Sequence, residues 1–401
     1  MPFTTTDGHK DLPRYFAHVF RALCHMEAGQ LDIHLPDGRV FCAKGPKPGP
    51  AADLHIHNVD SFARLIREGD LGFSDAYLEG WWSTSDLQAF MDLVHMGADT
   101  VYDGFPGRSL ARAYERFRFW LHRNHRAQAR KNISYHYDLG NDFYGLWLDD
   151  TMTYSSAKFD TGQESLERAQ TAKYASMVDQ MGVKPGDHVL EIGCGWGGFA
   201  EYAARERGLW VTGLTISKEQ LKFAQDRMAR QGLSDQVELR LQDYRDCDGR
   251  FDGIASIEMF EAVGQKYWPI YFDTVRERLK PQGRATLQII TVADRRWEIY
   301  QRGIDFIQKH IFPGGMLPSP SVLHSHVEAA GLDVVGSVEF GASYDQTLRR
   351  WHATFNDRWE QIHNLGFDDR FRKMWNFYLT SCAAAFKTGT CDVTQITIAH
   401  R

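Results

Sequence analysis

The sequence predicts an α/β fold with a mostly parallel sheet from about residue 170 onward, preceded by a smaller N-terminal α+β domain. Strand-like apolar runs alternate there with amphipathic helical stretches, and a glycine-rich loop follows the first run. Strands that alternate with helices predict a parallel sheet with helices on both faces. The expected strands are "DHVLEIGCG", "LWVTGLTIS", "VELRLQDY", "DGIASIEMF" and "RATLQIITV", and the expected helices are "GFAEYAARERG", "KEQLKFAQDRMARQG" and "YFDTVRERLKPQG".

The N-terminal region has the pattern of a small mixed domain. Apolar residues alternate on either side of Pro36-Asp37-Gly38, which predicts a β-hairpin over 31–43. A further strand is expected at 53–57, followed by a capped helix closed by glycine in "VDSFARLIREGDLG". The expected division of the chain is an N-terminal accessory domain over 1–106, a linker helix over 107–134 and the α/β domain over 135–401.

Composition excludes several classes of protein. A chain of 401 residues with 43 % hydrophobic residues can bury a large core in two or three domains. The net charge of −6 offers no overall basic field to nucleic acid. The six cysteines form no CxxC pair and the histidines no HExxH motif, so we expect neither a disulfide framework nor a metal site. Without a signal-peptide pattern or an apolar run of about 18 residues, a cytoplasmic protein is expected.

A basic segment precedes the α/β region. Residues 107–132 carry eight Arg and Lys against one acid, Glu115, and apolar residues recur in them at helical spacing. Such an amphipathic helix could lie on an anionic membrane surface. It could equally be a linker helix whose apolar stripe packs on the next domain, and the sequence leaves both interpretations open.

The glycine loop in "VLEIGCGWGGFA" (189–200) predicts a ligand site at the end of the first strand. A Walker phosphate loop is excluded because the GxxxxGK motif is absent. A dinucleotide fingerprint needs an acid at the end of the second strand, where this chain has Gly213-Leu214-Thr215. A GxGxG loop after a strand that ends in an acid, here Glu191, favours S-adenosylmethionine.

Seven further blocks occur in order and carry a resemblance. They are "YHYDLGNDFYGLWLDDTMTYSSAKF", "LEIGCGWGGFAEYAA", "VTGLTISKEQ", "LQDYRD", "SIEMFEAVG", "IFPGGMLPS" and "FGASYDQTLRRW". Together they are similar to the cyclopropane-fatty-acyl-phospholipid synthase family in its long bacterial form. The resemblance implies a Rossmann-like S-adenosylmethionine-dependent methyltransferase domain with a tunnel for an acyl chain. It also implies an unsaturated membrane phospholipid as substrate, peripheral contact with the anionic inner face of the membrane, and a homodimer.

The same resemblance implies which residues contact the cofactor. They are Tyr154 and Ser155 at its aminoacyl end, Glu191, Gly193, Gly195 and Gly197 in the floor of the site, Thr215 and Gln220 at the ribose hydroxyls, and Asp243 and Tyr244 beside the adenine. Thr215 and Gln220 would explain how the site binds a ribose without an acid on the second strand.

The expected chemistry places two demands on the site. A sulfonium methyl is a strong electrophile, and its addition to an isolated double bond leaves a carbocation on the neighbouring carbon. The cation needs electron-rich neighbours and exclusion of water, and it must then lose a proton to a base. The resemblance implies a bound bicarbonate as that base, held at the positions of Ser156, Glu261, Gln288, Ile290 and Tyr344.

Three residues depart from the family's pattern at this site. Ser156 stands where the family has cysteine, Gln288 where it has histidine, and Glu258 where it usually has glycine. A glutamine amide can donate a hydrogen bond to an anion, but it cannot exchange a proton near neutral pH. Either bicarbonate still binds and the product is a cyclopropane, or Glu258 or Glu261 takes a proton and the product is a methyl-branched chain. Glu258 could also be a carboxylate that faces solvent.

Cys382 in "LTSCAAAF" matches a cysteine once proposed as an active-site residue of the family, although a small cysteine in an apolar helix more often only packs. Two other functions stay open. A small-molecule methyltransferase would have a small pocket in place of an acyl tunnel, and a non-catalytic lipid-binding relative would bind the cofactor without turnover.

Overall fold

The computed structural model describes residues 1–97 and 139–401, so the domain boundaries expected at 106 and 134 and the basic segment lie outside the described residues. Its helices are α1 Phe16–Leu23, α2 Ser61–Glu68, α3 Asp70–Leu78, α4 Leu87–Met96, α5 Asn141–Trp147, α6 Leu166–Met181, α7 Gly198–Arg207, α8 Lys218–Arg230, α9 Trp268–Arg278, α10 Asp294–Tyr300, α11 Phe306–His310, α12 Pro320–Ala329, α13 Gly341–Asp357, α14 Trp359–Asn364 and α15 Asp369–Lys387. Its strands are β1 Ala28–His34, β2 Val40–Lys44, β3 Lys47–Ile56, β4 Trp82–Ser83, β5 His188–Ile192, β6 Trp210–Thr215, β7 Val237–Leu241, β8 Phe251–Ile257, β9 Leu279–Val292, β10 Leu332–Glu339 and β11 Cys391–His400.

The chain forms two compact units. Among the described residues, the N-terminal unit comprises 1–97, 302–311 and 366–390, and the larger unit comprises the rest. The two later segments of the N-terminal unit were expected in a continuous domain over 135–401, and the structure differs there. They join the N-terminal unit through apolar packing, since the Phe377 ring lies 4.3 Å from Phe306 and 5.7 Å from Tyr77.

The N-terminal unit contains a four-stranded sheet in the order β2-β1-β3-β4. The predicted hairpin is formed, with β1 and β2 antiparallel and His34 opposite Val40. The helix predicted to follow the third strand is α2, and Gly69, with φ 73°, ends it. The expected cap is missing, because the Asp60 side chain makes no capping hydrogen bond to a described residue.

The larger unit is built on a seven-stranded sheet in the order β10-β11-β9-β8-β5-β6-β7. Strands β5 to β9 are parallel and are the five strands predicted from the sequence. Strands β10 and β11 were not predicted, and β11 runs antiparallel to both of its neighbours. The fold is therefore α/β with a mostly parallel sheet, as expected.

Helices cover both faces of this sheet, which explains why four successive residues of β5, from Val189 to Ile192, are buried. Val189 packs in one core cluster with α6 and α7, whereas Leu190 packs in the other with α9 and α12. A strand buried on both faces needs apolar residues at successive positions, since successive side chains point to opposite faces. No helix of the described ranges combines the length and apolar character that crossing a bilayer requires.

A buried ion pair connects α7 to α8, and its contribution to stability can be tested by mutation. The Glu201 side chain is 8 % exposed and pairs with Arg227, which also donates a hydrogen bond to the Thr151 carbonyl at 2.8 Å. Glu201→Ala leaves the Arg227 charge buried without its carboxylate, so we expect a loss of about 3–5 kcal/mol in the free energy of unfolding. Glu206→Ala, which removes an exposed partner of Arg205, is the control and should cost under about 1 kcal/mol. Urea unfolding of both variants measures the difference, and equal losses would contradict the assignment.

Candidate active site

The glycine loop connects the carboxyl end of β5 to the first turn of α7. Gly193 has φ 85°, and a Cβ there would lie 2.8 Å from the Met259 side chain, so only glycine fits. Gly195 has φ 50°, and a Cβ there would meet no described atom within 4 Å. Gly197 precedes α7 with φ 82°. The loop thus presents bare backbone to open space at the ligand end of the sheet.

Glu191, the last acidic residue before the loop, is only 2 % exposed. Its Oε2 atom has no hydrogen-bond partner among the described residues. Burial raises the pKa of this carboxyl to about 8. A buried oxygen without a partner costs free energy unless a ligand supplies a donor. Together with the open glycine loop, it fits the amino and hydroxyl donors of S-adenosylmethionine.

The residues expected at the ribose and the adenine lie at the next two strand ends. Thr215 Oγ1 donates to Gln220 Oε1 at 3.1 Å, so the end of β6 and the first turn of α8 bring these two side chains together. Both oxygens of Asp243 accept hydrogen bonds from Arg245, at 2.8 and 2.6 Å. The Tyr244 ring packs edge-on against Tyr271. Their contacts with the cofactor stay predictions.

Helix α6 holds Ser155 by hydrogen bonds, one of them from Lys173, a residue that the sequence analysis did not identify. The Lys173 ammonium is completely buried and donates to Ser155 Oγ at 2.6 Å, while Gln170 Nε2 donates to the Ser155 carbonyl at 3.0 Å. Burial lowers the pKa of Lys173 to about 7. The signal in the sequence was a lysine inside the buried stripe of "LERAQTAKYASMVDQM".

Tyr154 stands in a cluster of aromatic rings. Its ring centroid lies 5.5 Å from that of Trp147 and 5.4 Å from that of Trp351, and Trp351 lies 6.2 Å from Tyr344. The π faces of such rings carry negative potential and attract cations. The cluster is therefore a suitable neighbour for a positive charge that develops beside Tyr344.

The three departures from the family's pattern meet at one carboxylate. Glu258 Oε1 accepts from the Ser156 backbone N–H and from Gln288 Nε2, each at 2.8 Å, and its Oε2 accepts from the Tyr344 hydroxyl at 2.7 Å. Although part of Glu258 stays accessible, three donors bind its two carboxylate oxygens, so it is not an ordinary surface carboxylate. Ser156 makes this contact through its main-chain amide, which an exchange of cysteine for serine does not change.

Two opposing effects act on the Glu258 carboxyl. Burial is the largest cause and raises the pKa of Glu258 above its ordinary value, although the Tyr344 hydroxyl, the charge of Lys173 and the two other donors act to lower it. The backbone of Glu258 has φ 49°, a left-handed conformation that a non-glycine residue adopts at a cost of about 1–2 kcal/mol. A position that is usually glycine in the family is therefore strained in order to place a carboxylate at this point.

Glu261 lies beside this cluster and has fewer hydrogen-bond partners among the described residues. Its Oε1 accepts from the Ile290 backbone N–H at 2.6 Å, so Ile290 contributes its amide and not its side chain. Its Oε2 has no partner among the described residues. Burial and the charge of Glu258 raise the pKa of Glu261 to about 8, so this carboxyl holds its proton near neutral pH. Cys382 belongs to α15 of the N-terminal unit and is not one of these residues.

The chain is similar to several known proteins. Residues 124–396 match the family model described as mycolic acid cyclopropane synthetase. The tuberculostearic acid methyltransferase of Mycobacterium tuberculosis is 38 % identical over 91 % of this chain and 88 % of its own length. The cyclopropane-fatty-acyl-phospholipid synthase of Escherichia coli K12 is 36 % identical over 86 % of this chain and 87 % of its own. A mycolic acid cyclopropane synthase solved with SAH and CTAB superposes with a TM-score of 0.63 at 32 % identity, covering 67 % of this chain and 97 % of that structure.

The fold and the site define a S-adenosylmethionine-dependent methyltransferase. Within that class, the chain belongs to the mycolic acid cyclopropane synthetase family. Both the predicted fold class and the resemblance drawn from the seven sequence blocks are confirmed.

The raised pKa of Glu191 predicts a pH-dependent stability of the ligand-free protein. The pKa of Glu191 in the folded protein is about 8, above its value in the unfolded chain. Its contribution to the free energy of unfolding is therefore complete below about pH 4.5 and is lost as the pH rises through 8. Glu191→Gln removes the ionisation, and its free energy of unfolding should gain on that of the wild type over this range. Glu219→Gln, at an exposed position of α8, is the control and should show a constant difference. Urea unfolding at several pH values measures both, and a constant difference for Glu191→Gln would contradict the prediction.

Proposed function

We propose that this chain transfers the methyl group of S-adenosylmethionine to the double bond of an unsaturated acyl chain of a membrane phospholipid. In this proposal Glu258 takes the proton that the acyl chain then loses, and the product is a methyl-branched alkene. The observation that carries the proposal is the position of the Glu258 carboxylate among Ser156, Gln288 and Tyr344. These are positions at which the resemblance implies a bound bicarbonate.

The chain's own carboxylate thus takes the place of a free anion. Each of the three donors is already used by Glu258, so a bicarbonate at the same point would lack partners and would meet a like charge. Bicarbonate and a carboxylate side chain offer the same pair of oxygen acceptors. We therefore propose that catalysis does not require bicarbonate.

The two neighbouring glutamates divide the proton chemistry. When bound, the cofactor supplies an electrophilic methyl group, and its transfer leaves a positive charge on the acyl chain. In its ionised form, Glu258 attracts that charge and accepts a proton from it. Glu261 keeps its own proton because its folded pKa is about 8, so it adds no second negative charge. The rings of Tyr154 and Trp351 exclude water and face the cation.

The proposed product follows from where this chain departs from the family's pattern. In both outcomes the double bond's electron pair forms the new C–C bond and one proton leaves to the base. The released C–H electron pair closes a ring if the proton comes from the added methyl, or forms a new double bond if it comes from a neighbouring chain carbon. All three departures lie on the proton acceptor, which favours the branched outcome, and a relative matching 91 % of this chain is named a methyltransferase.

The phospholipid substrate and the place of action belong to the same proposal. An acyl chain must leave the bilayer to reach the Glu258 carboxylate, so the enzyme has to dock on a lipid surface. The basic segment 107–132 supplies charge for an anionic inner face, and the N-terminal domain is the proposed accessory docking domain. Action as a homodimer in the cytoplasm is part of this proposal and rests on the resemblance.

The product can be read from an isotope. Methyl-deuterated S-adenosylmethionine is incubated with the purified protein and vesicles of mono-unsaturated phospholipid, and the released fatty acids are analysed by mass spectrometry and NMR. A chain with three deuterons and a double bond supports the proposal. A ring with two deuterons would overturn the branched product. Label found only in small molecules, or binding of S-adenosylhomocysteine without any labelled lipid, would overturn methyl transfer to lipid.

The role of Glu258 can be tested by chemical rescue. Glu258→Gly removes the base but frees the Ser156, Gln288 and Tyr344 donors, so we expect turnover to fall by about 10²–10⁴-fold and to recover when bicarbonate is added. The turnover of Glu258→Gln should fall as far, but added bicarbonate should not restore it, because the glutamine side chain still fills the space. The wild type should be indifferent to bicarbonate. Urea unfolding of Glu258→Gly with and without bicarbonate separates lost chemistry from lost folding, because the relief of backbone strain and the cost of the freed donors oppose each other.

If the wild type instead loses activity in carbonate-free buffer, Glu258 does not replace the anion. Rescue of both variants to the same extent would also contradict the proposal, since it would show that bicarbonate binds elsewhere.

A further inference from the structure

Gln395 on β11 lies directly opposite Gln288 on β9 in the antiparallel pair, and both side chains are completely buried. Gln395 Nε2 donates to Gln288 Oε1 at 3.1 Å and to the Lys173 carbonyl at 3.3 Å. Its Oε1 accepts from Ser176 Oγ at 2.6 Å and from Gln180 Nε2 at 2.8 Å. Every polar atom of the Gln395 amide therefore has a described partner.

These partners determine which way the Gln395 amide faces. The Lys173 carbonyl can only accept a hydrogen bond, so the NH₂ group of Gln395 must point toward it. Turning the amide over would place its oxygen against that carbonyl and its NH₂ against the Gln180 amide hydrogens. Gln395 therefore always offers a donor to Gln288.

The orientation passes on to the catalytic carboxylate. Because Gln288 Oε1 accepts from Gln395, its Nε2 points the other way and donates to Glu258 Oε1 at 2.8 Å and, at the longer distance of 3.4 Å, to the Ser156 carbonyl. We propose that Gln395 is a positioning residue that locks the Gln288 amide with its NH₂ group toward Glu258. This inference rests on the proposed role of Glu258 as the base.

The lock matters at the moment when Glu258 takes up a proton. A protonated carboxyl becomes a donor, and a free Gln288 amide would turn to offer its oxygen and stabilise that form. Gln395, together with the longer contact of Gln288 Nε2 to the Ser156 carbonyl, opposes the turn, so the protonated form gains no acceptor from Gln288 and the carboxyl returns to its basic state. The other ionisable groups that act on Glu258 are Lys173 from α6, Tyr344 from α13 and the neighbouring Glu261.

The test compares two substitutions on the same face of β11. Gln395→Met keeps the volume but removes the lock, so the pKa of Glu258 should rise by roughly one pH unit. Thr397→Val is the matched control. Thr397 is equally buried and donates to Gln180 Oε1 at 3.2 Å, but it makes no described contact with Gln288. Infrared difference spectra recorded against pH give the pKa of Glu258 without turnover. The Glu258 band is assigned by its loss in Glu258→Gln. The acidic limb of the plot of kcat against pH should move with this pKa.

A shift in Gln395→Met but not in Thr397→Val supports the lock, whereas equal shifts or none would overturn it. The double variant Ser176→Ala, Gln180→Leu keeps Gln395 but removes the two donors that fix its oxygen. It should raise the pKa of Glu258 by a smaller amount than Gln395→Met does. These substitutions lie on half-buried positions of α6, so they serve if Gln395→Met does not fold. Failure of the proposed function would give a different result. The acidic limb of kcat against pH in the wild type would then not coincide with the titration of the Glu258 infrared band.

Discussion

The cost of placing a carboxylate inside the protein governs the whole candidate site. An ionised carboxylate loses its hydration on burial and survives only with donors or opposite charge around it. Glu258 has three donors, which act against the rise in pKa that burial causes. Glu191 and Glu261 each keep an oxygen without a partner among the described residues, and burial raises the pKa of each to about 8. Three acids of the same type thus differ in how far their surroundings offset the cost of burial.

Helix α6 connects the two halves of the site. Gln170 and Lys173 hold Ser155, which is expected at the cofactor, and Ser176 and Gln180 hold Gln395, which acts on the base. Positions three and four apart lie on one face of a helix, so a single rigid element sets both contacts. A change that moved this helix would disturb cofactor binding and proton transfer together, even though none of these four residues except Lys173 acts on a catalytic charge directly.

The parallel part of the fold could be predicted because each strand and helix carries its own periodicity. Strands β10 and β11 of the seven-stranded sheet were not predicted. β11 follows a segment, 366–390, that belongs to the N-terminal unit, so the chain returns to the sheet only after this segment. That segment contains the apolar helix α15, which gave no sign in its own sequence of the unit on which it packs. Its partners on α3 and α11 are far away along the chain, and local pattern carries no information about such pairings.

By itself the sequence determined the α/β class, the glycine loop and the family, because these depend on local periodicity and on motifs of fixed spacing. It also identified Glu258, Gln288 and Ser156 as departures from the family's pattern, but left open whether Glu258 faces solvent or the site. Only the tertiary structure decided this, by bringing donors from residues 156, 288 and 344 to one carboxylate. The free energy of a buried charge depends on which groups surround it in space, and these groups lie 102, 30 and 86 residues from Glu258 along the chain.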